Sequence, residues 1–410
     1  MKARIFLVAL TAMFSAALFS CSNGTGPGES RELTTLEKQV VGAANDFGLE
    51  FFQVVAAEDA NENLFVSPFS VSMALGMTLN GASGQTKDDM EAVLGFTGMS
   101  NDEINQSYKG LSELLTKLDP KVQFNVANSI WYRQNFNVES LFIQQNKDFF
   151  DAQVEEIDFS NAANSAKQIN NWVKEKTKGK IEDLVKEDGI DSNTIMFLIN
   201  AIYFKGDWTY KFDKKNTRKA MFRAANGGEF EVDMMNATET HFYQKTEGFQ
   251  AIDLPYGDAG FRMMAILPKE GEDINAFITS LDAAEWQSML NSFREQEVEL
   301  AMPKFKLEYE IQLNDVLKTM GMGIAFSDNA DFSRISAGSR LKIDEVKHKT
   351  FVEVNEEGTE AAAATSVEIV ETSIPVIPRM TLDRPFVFII HDMHSESIVF
   401  AGRMMNPATE

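Results

Sequence analysis

The chain has 410 residues and a net charge of -23, from 61 Asp and Glu against 38 Lys and Arg. That balance argues against a nucleic-acid partner, because a polyphosphate backbone needs a cationic surface. Cys21 is the only cysteine, so no intrachain disulfide forms and no thiolate catalysis or cysteine metal centre is expected.

The amino terminus reads as an export signal. Lys2 and Arg4 precede an apolar run from Ile5 to about Leu18, too short to span a bilayer comfortably, and Ser20 and Cys21 follow. Leu18-Phe19-Ser20-Cys21 looks like a bacterial lipobox, which would make Cys21 the lipidated first residue of the mature chain. The alternative is an ordinary signal peptide followed by a lone thiol. Residues 1–20 are therefore expected to be a signal peptide and 21–35 a lipidated start with a glycine-rich tether. The expected address is the envelope of a bacterial cell, with the protein held at a membrane through Cys21.

From Leu36 the apolar residues Val40, Ala44, Phe47, Phe51 and Val55 fall on one helical stripe. Ser67-Pro68 opens a second helix, with serine as cap and proline at the first helical position, running through Val71, Ala74, Leu75 and Leu79. Ser67 and Ser70 read as capping and back-bonding groups on an otherwise apolar element. A strand is predicted around Phe124, Val126, Ile130 and Tyr132, and an amphipathic helix from Ile169 that stops at Gly179. Thr194 to Phe204 is nearly all apolar, as in a strand buried on both faces, and contains Asn200, a polar group that must find partners. Phe249 to Pro268 reads as a hairpin turning at Tyr256 to Gly260, Val298 to Tyr309 alternates around Pro303, and Ile311 to Met320 reads as helix. Arg384 to Ile390 and Ser397 to Arg403 form a terminal strand pair joined by a polar loop. Early helices and late strands, without a linker, predict one α+β domain over residues 36–410.

Hydrolytic chemistry finds no support. The four histidines are His241, His348, His391 and His394, and neither a Gly-x-Ser-x-Gly elbow nor a His-Glu-x-x-His helix is present. His391 and His394 are expected in a solvated turn rather than as a metal pair, and His348 as a hydrogen-bonded core histidine.

The stretch Glu353 to Ser366 is different. An alternating lead through Phe351, Val352 and Val354 looks like the end of a strand, and Gly358 permits a bend. Only small side chains follow apart from Glu360, so the segment reads either as an exposed helical turn or as a strand fit for a crowded sheet interior. It resembles the hinge of the serpins. Asn63 to Ser72, Ile169 to Ile181, Asn200 to Trp208, and Pro385-Phe386 through Asn406-Pro407 resemble further serpin blocks in the right order. From about Leu36 to Pro407 the chain is identified as a member of that family.

The resemblance implies a serpin fold, with a helical half, three β-sheets and an exposed reactive-centre loop at about 356–378. It implies a suicide-substrate inhibitor of endopeptidases rather than an enzyme: the cut loop inserts into the main sheet and traps the acyl-enzyme. The hinge residues would be Glu356, Gly358, Thr359, Glu360, Ala361, Ala362, Ala363 and Ala364. Alternation along a strand would turn Thr359, Ala361, Ala363 and Thr365 inward, all small and uncharged. The family register puts the reactive bond between Thr372 and Ser373, with Glu371 or Val370 as alternatives before the bond. Such bait suits elastase-like serine proteases, and papain-like cysteine proteases stay open. Ser67, Ser70, Asn200, Trp208, Lys304 and His348 would gather where the main sheet opens, with His348 paired to Asn200 and Lys304 to Glu356. The partner would be the target endopeptidase in a covalent complex with a monomer, without a cofactor or metal. The competing expectation is a non-inhibitory serpin acting as a carrier, chaperone or ligand-binding surface lipoprotein.

Overall fold

Two capped helices begin the folded chain. Thr35–Glu58 starts where the Thr34 hydroxyl accepts from the Glu37 amide and the Glu37 carboxylate accepts from the Thr34 amide. It buries Val40, Phe47, Phe51 and Val55. In Pro68–Leu79 the Ser67 side chain accepts from the Ser70 amide, and Pro68 opens the first turn. This helix is buried at every residue except Ala74, because an element apolar on all sides belongs in the core. The computed structural model describes residues 31–225, 227–359 and 377–408.

The strands in chain order are β1 (Leu64–Val66), β2 (Val122–Arg133), β3 (Gln153–Ile157), β4 (Met196–Asp207), β5 (Arg218–Arg223), β6 (Glu229–Lys245), β7 (Phe249–Tyr256) and β8 (Phe261–Pro268). They continue as β9 (Arg294–Pro303), β10 (Phe305–Gln312), β11 (Lys347–Asn355), β12 (Gly358–Thr359), β13 (Arg379–Thr381), β14 (Phe386–Asp392) and β15 (Ile398–Met404). The main sheet has six strands in the order β10-β11-β12-β4-β2-β3. A nine-stranded network contains two further sheets, β1-β15-β14-β8-β7 and β5-β6-β9-β13. They are continuous only because the long β6 reaches β7 with Phe242 to Lys245. The three expected sheets are therefore present. The helix Ala162–Lys176 packs Ile169, Trp172 and Val173 against Trp131, Ile157 and Ile199 of the main sheet. Phe65 stacks on Phe388 and Phe400 of its own sheet, at 5.5 and 4.9 Å, and Phe305 of β10 packs on Phe388 at 5.2 Å to join that sheet to the main one.

Two local expectations need correction. Ile311 and Gln312 continue β10, and helix begins only at Asn314, because Ile311 still pairs with His348 across the ladder. His391 is not in a solvated turn but fully buried in β14, its Nε2 2.9 Å from an Asp253 oxygen and its ring edge-on to Trp286. The turn starts two residues later, and His394 at its tip bonds the Arg31 carbonyl. Cys21, Glu360, Ala361, Ala362, Ala363 and Ala364 lie outside the described residues, as do Val370, Glu371, Thr372 and Ser373.

Candidate functional site at the top of the main sheet

The main sheet has a seam between β4 and β11. Among the described residues no ladder joins these two strands directly, and the two-residue β12 fills only the end near Asp207 and Asn355. Thr359 stands opposite Val354 on one side and Gly206 on the other, antiparallel to both. Below Thr359 the seam is a narrow cleft lined by Ile202, Tyr203 and Phe204 of β4, Phe351 and Glu353 of β11, and Thr177, Lys180 and Ile181 beyond the helix Ala162–Lys176.

Why the chain enters here follows from local chemistry. Gly358 has φ of 149°, and a Cβ on it would lie 2.2 Å from the Gly206 carbonyl oxygen, so only glycine fits. Gly206 is as constrained, since its Cβ would meet the Tyr256 ring at 2.9 Å. The Trp208 amide donates to the Glu357 carbonyl at 2.8 Å, and the Phe212 amide to that of Glu356 at 3.0 Å. The Trp208 indole donates to the Asn355 carbonyl at 2.9 Å and stacks on Tyr256 at 4.4 Å. The Tyr256 and Thr359 hydroxyls are hydrogen-bonded at 2.8 Å, and Thr359 is 4% exposed.

The two glutamates before Gly358 are buried and answered by charge. Lys304 Nζ lies 3.0 Å from Glu356, whose other oxygen accepts from the Thr217 hydroxyl at 2.8 Å. Burial pushes the Glu356 carboxyl up, but its own amide, Lys304 and Thr217 together hold it below the usual carboxylate range. Lys214 and Lys211 reach Glu357 at 2.9 and 3.2 Å and hold its carboxyl below that range.

Behind the seam, Ser67, Ser70, Asn200 and His348 form one chain of bonds, but not by the expected pairing. His348 accepts from the Ser67 amide at 2.9 Å and does not bond Asn200. Asn200 instead accepts from the Ser70 hydroxyl and donates to Asn128 at 2.7 Å. The reason is geometric: Ser67 as N-cap presents its amide to the imidazole, and the next helical turn carries Ser70 to the amide side chain. Sequence reasoning missed Tyr256, Gly206, Thr217, Lys211 and Lys214. The lysines alone carried a signal, a cationic run beside Trp208 in an acidic chain.

Burial pulls His348 down to about 4, and His241 likewise. Both are neutral in the folded protein at pH 6.5, where an unfolded histidine is about half protonated. Their contribution is complete above pH 6.5 and is lost as pH falls towards 4, by roughly 3 kcal/mol for each shift of this size. His348→Gln should therefore flatten the fall of the thermal midpoint between pH 6.5 and 4. An unchanged slope would show that His348 titrates elsewhere.

The family model for serpins, described as serine protease inhibitors, matches residues 42–407. The chain is 37% identical over 382 residues to an uncharacterised serpin-like protein of Thermococcus kodakarensis, covering 90% of this chain and 86% of that one. It resembles the native-state structure of tengpin, a thermophilic serpin, with a TM-score of 0.82 and 33% identity over 93% of this chain and 97% of that one. Human thyroxine-binding globulin complexed with thyroxine gives a TM-score of 0.84 at 27% identity, covering 91% of this chain and all of that one.

Proposed function

This chain belongs to the serpin family, and we propose that it is an inhibitory member, a suicide substrate for endopeptidases of elastase-like specificity. The observation that carries this reading is the seating of Gly358 and Thr359 as a strand in a seam that, among the described residues, has no other ladder. A segment that has begun to enter can continue to enter once its far end is free. The protease nucleophile attacks the carbonyl carbon of Thr372, the Thr372–Ser373 bond breaks, and the new amine at Ser373 leaves with a proton. The acyl-enzyme then holds Thr372 while residues from Glu360 onward pair with β11 and β4 in turn. Each inserted residue adds ladder hydrogen bonds and carries the protease away from its starting place.

The composition of the hinge supports the same course. On insertion, strand alternation would turn Thr359, Ala361, Ala363 and Thr365 inward, and none is charged or large. Between Glu356 and Ile377 there is no lysine or arginine, so trypsin-like enzymes are poor targets, while Val370 or Thr372 suits a small apolar pocket. Glu371 would suit a glutamyl-specific enzyme, and papain-like enzymes form a further class to test.

The test is a denaturing gel of the purified protein mixed with elastase-like, glutamyl-specific, trypsin-like and papain-like proteases. A band at the summed mass that survives boiling is expected with the elastase-like enzyme, and the released peptide should begin at Ser373. Cleavage by every protease without such a band would leave a non-inhibitory serpin, such as a carrier.

A further inference from the structure

A second site lies on the sheet β5-β6-β9-β13, away from the seam. One face of these strands forms a trough with a cavity of about 370 Å³. Its floor is Ala220, Met234, Ala301 and Thr381, one residue from each strand, with Asn236 beside Ala301 in the ladder. Arg218 of β5 and Arg379 of β13 stand at opposite rims. Three strand spacings of about 4.8 Å put these rims about 14 Å apart.

The charged side chains that line this trough, Arg218 and Arg379, are both cationic in an acidic chain. Residues 211–223 hold Lys211, Lys214, Lys215, Arg218, Lys219 and Arg223 against Asp213 alone. Most are committed: Lys211 and Lys214 to Glu357, Lys219 to Asp233, and Arg223 to Glu270 and Asp383. Arg218 and Lys215 form no ion pair among the described residues. The Arg218 guanidinium donates only to the carbonyls of Lys215 and of Thr217, the latter at 2.9 Å, so it is aimed but not neutralised. Arg379 has Glu299 at 3.5 Å, an exposed pair of small worth.

Position supplies the second argument. The described chain resumes at Ile377, and the Pro378 carbonyl accepts from the Glu299 amide at 2.9 Å on the rim of the trough. On the inhibitory reading the bond at Thr372–Ser373 lies six residues before Arg379, within about 20 Å of it even along a fully extended chain, so a protease engaged there can reach these arginines. At physiological salt, charges beyond about 8 Å are screened, so Arg218, Arg379 and the nearby Glu299 set the field here rather than the distant charge of the chain.

We propose that this trough is a docking site for an acidic surface segment of the target protease, whose carboxylates reach Arg218 and Arg379 across the small-residue floor. The proposal deepens the inhibitory reading, and its test includes one arm independent of trapping. The double charge reversal R218E/R379E is compared with K147E/K167E, which makes the same change in net charge at exposed sites elsewhere. An acidic elastase-like protease and a cationic one of the same specificity are used, each both active and with its active-site serine replaced by alanine.

For the active acidic enzyme, R218E/R379E should slow association about tenfold and lose most of its salt dependence, with the covalent band still forming. For the serine-to-alanine form, binding should weaken by a similar factor. K147E/K167E should stay within about twofold, and the cationic enzyme should not lose rate on R218E/R379E. Equal rates and affinities for wild type and R218E/R379E would overturn the docking site. Loss of the covalent band in wild type with weakened binding of the serine-to-alanine form would instead overturn the inhibitory reading and keep the docking site.

Discussion

Thr359→Arg is expected to convert the protein from a trap into a plain substrate. Thr359 is the first hinge residue whose side chain enters the sheet: 4% exposed, between Val354 and Gly206, with its hydroxyl on Tyr256. A guanidinium there enters the core face beside Val354 and Tyr256, whereas Glu353, the carboxylate lining the cleft, alternates to the other face of β11, so the charge must leave water at a cost of several kcal/mol. Insertion competes with hydrolysis of the acyl-enzyme, and about 3 kcal/mol on the insertion barrier slows that branch by roughly a hundredfold. Cleavage itself should continue, because the bait lies far along the segment. The gel should show the cut chain without the high-mass band, and the number of molecules consumed per protease should rise more than about tenfold. Thr359→Ser keeps the hydroxyl and the size, and should inhibit as wild type does. An undiminished band from Thr359→Arg would mean that trapping does not pass through this seam.

The architecture was legible where one residue type has one physical use. Ser67-Pro68 announced a helix start, the apolar run around Asn200 announced an interior strand, and Gly358 announced a backbone that other residues avoid. Elements whose partners are distant in the chain were less legible. His391 looked like part of a polar loop because Asp392, His394 and Ser395 follow it, yet Asp253, far back in the chain, holds it inside β14. The serine, asparagine and histidine residues behind the seam were named correctly as neighbours but not in their bonding, since donor direction is set by the cap geometry of Ser67. Tyr256 was missed for the opposite reason: it reads as a turn residue, and its role comes from Trp208 stacking on it and Thr359 reaching its hydroxyl.

Cutting the segment 360–376 without trapping, with any protease that cleaves and departs, is expected to raise the thermal midpoint by about 20 °C or more. Among the described residues, β4 and β11 share no ladder over most of their length. A strand of about a dozen residues entering from Thr359 would add on the order of twenty ladder bonds, each worth about 0.5–1.5 kcal/mol net. The sum is on the order of 10–30 kcal/mol, and even at the small shift per kcal/mol expected of a long chain it moves the midpoint by tens of degrees. On this expectation the intact fold would persist by its barrier rather than its depth. Scanning calorimetry of intact and nicked protein reads the difference directly. Nicked Thr359→Arg gives the control, because the same cut is made but the charge resists entry, so most of the gain should be absent. An equal midpoint for intact and nicked wild type would mean that the seam does not take up the strand, and the trapping mechanism would fall with it.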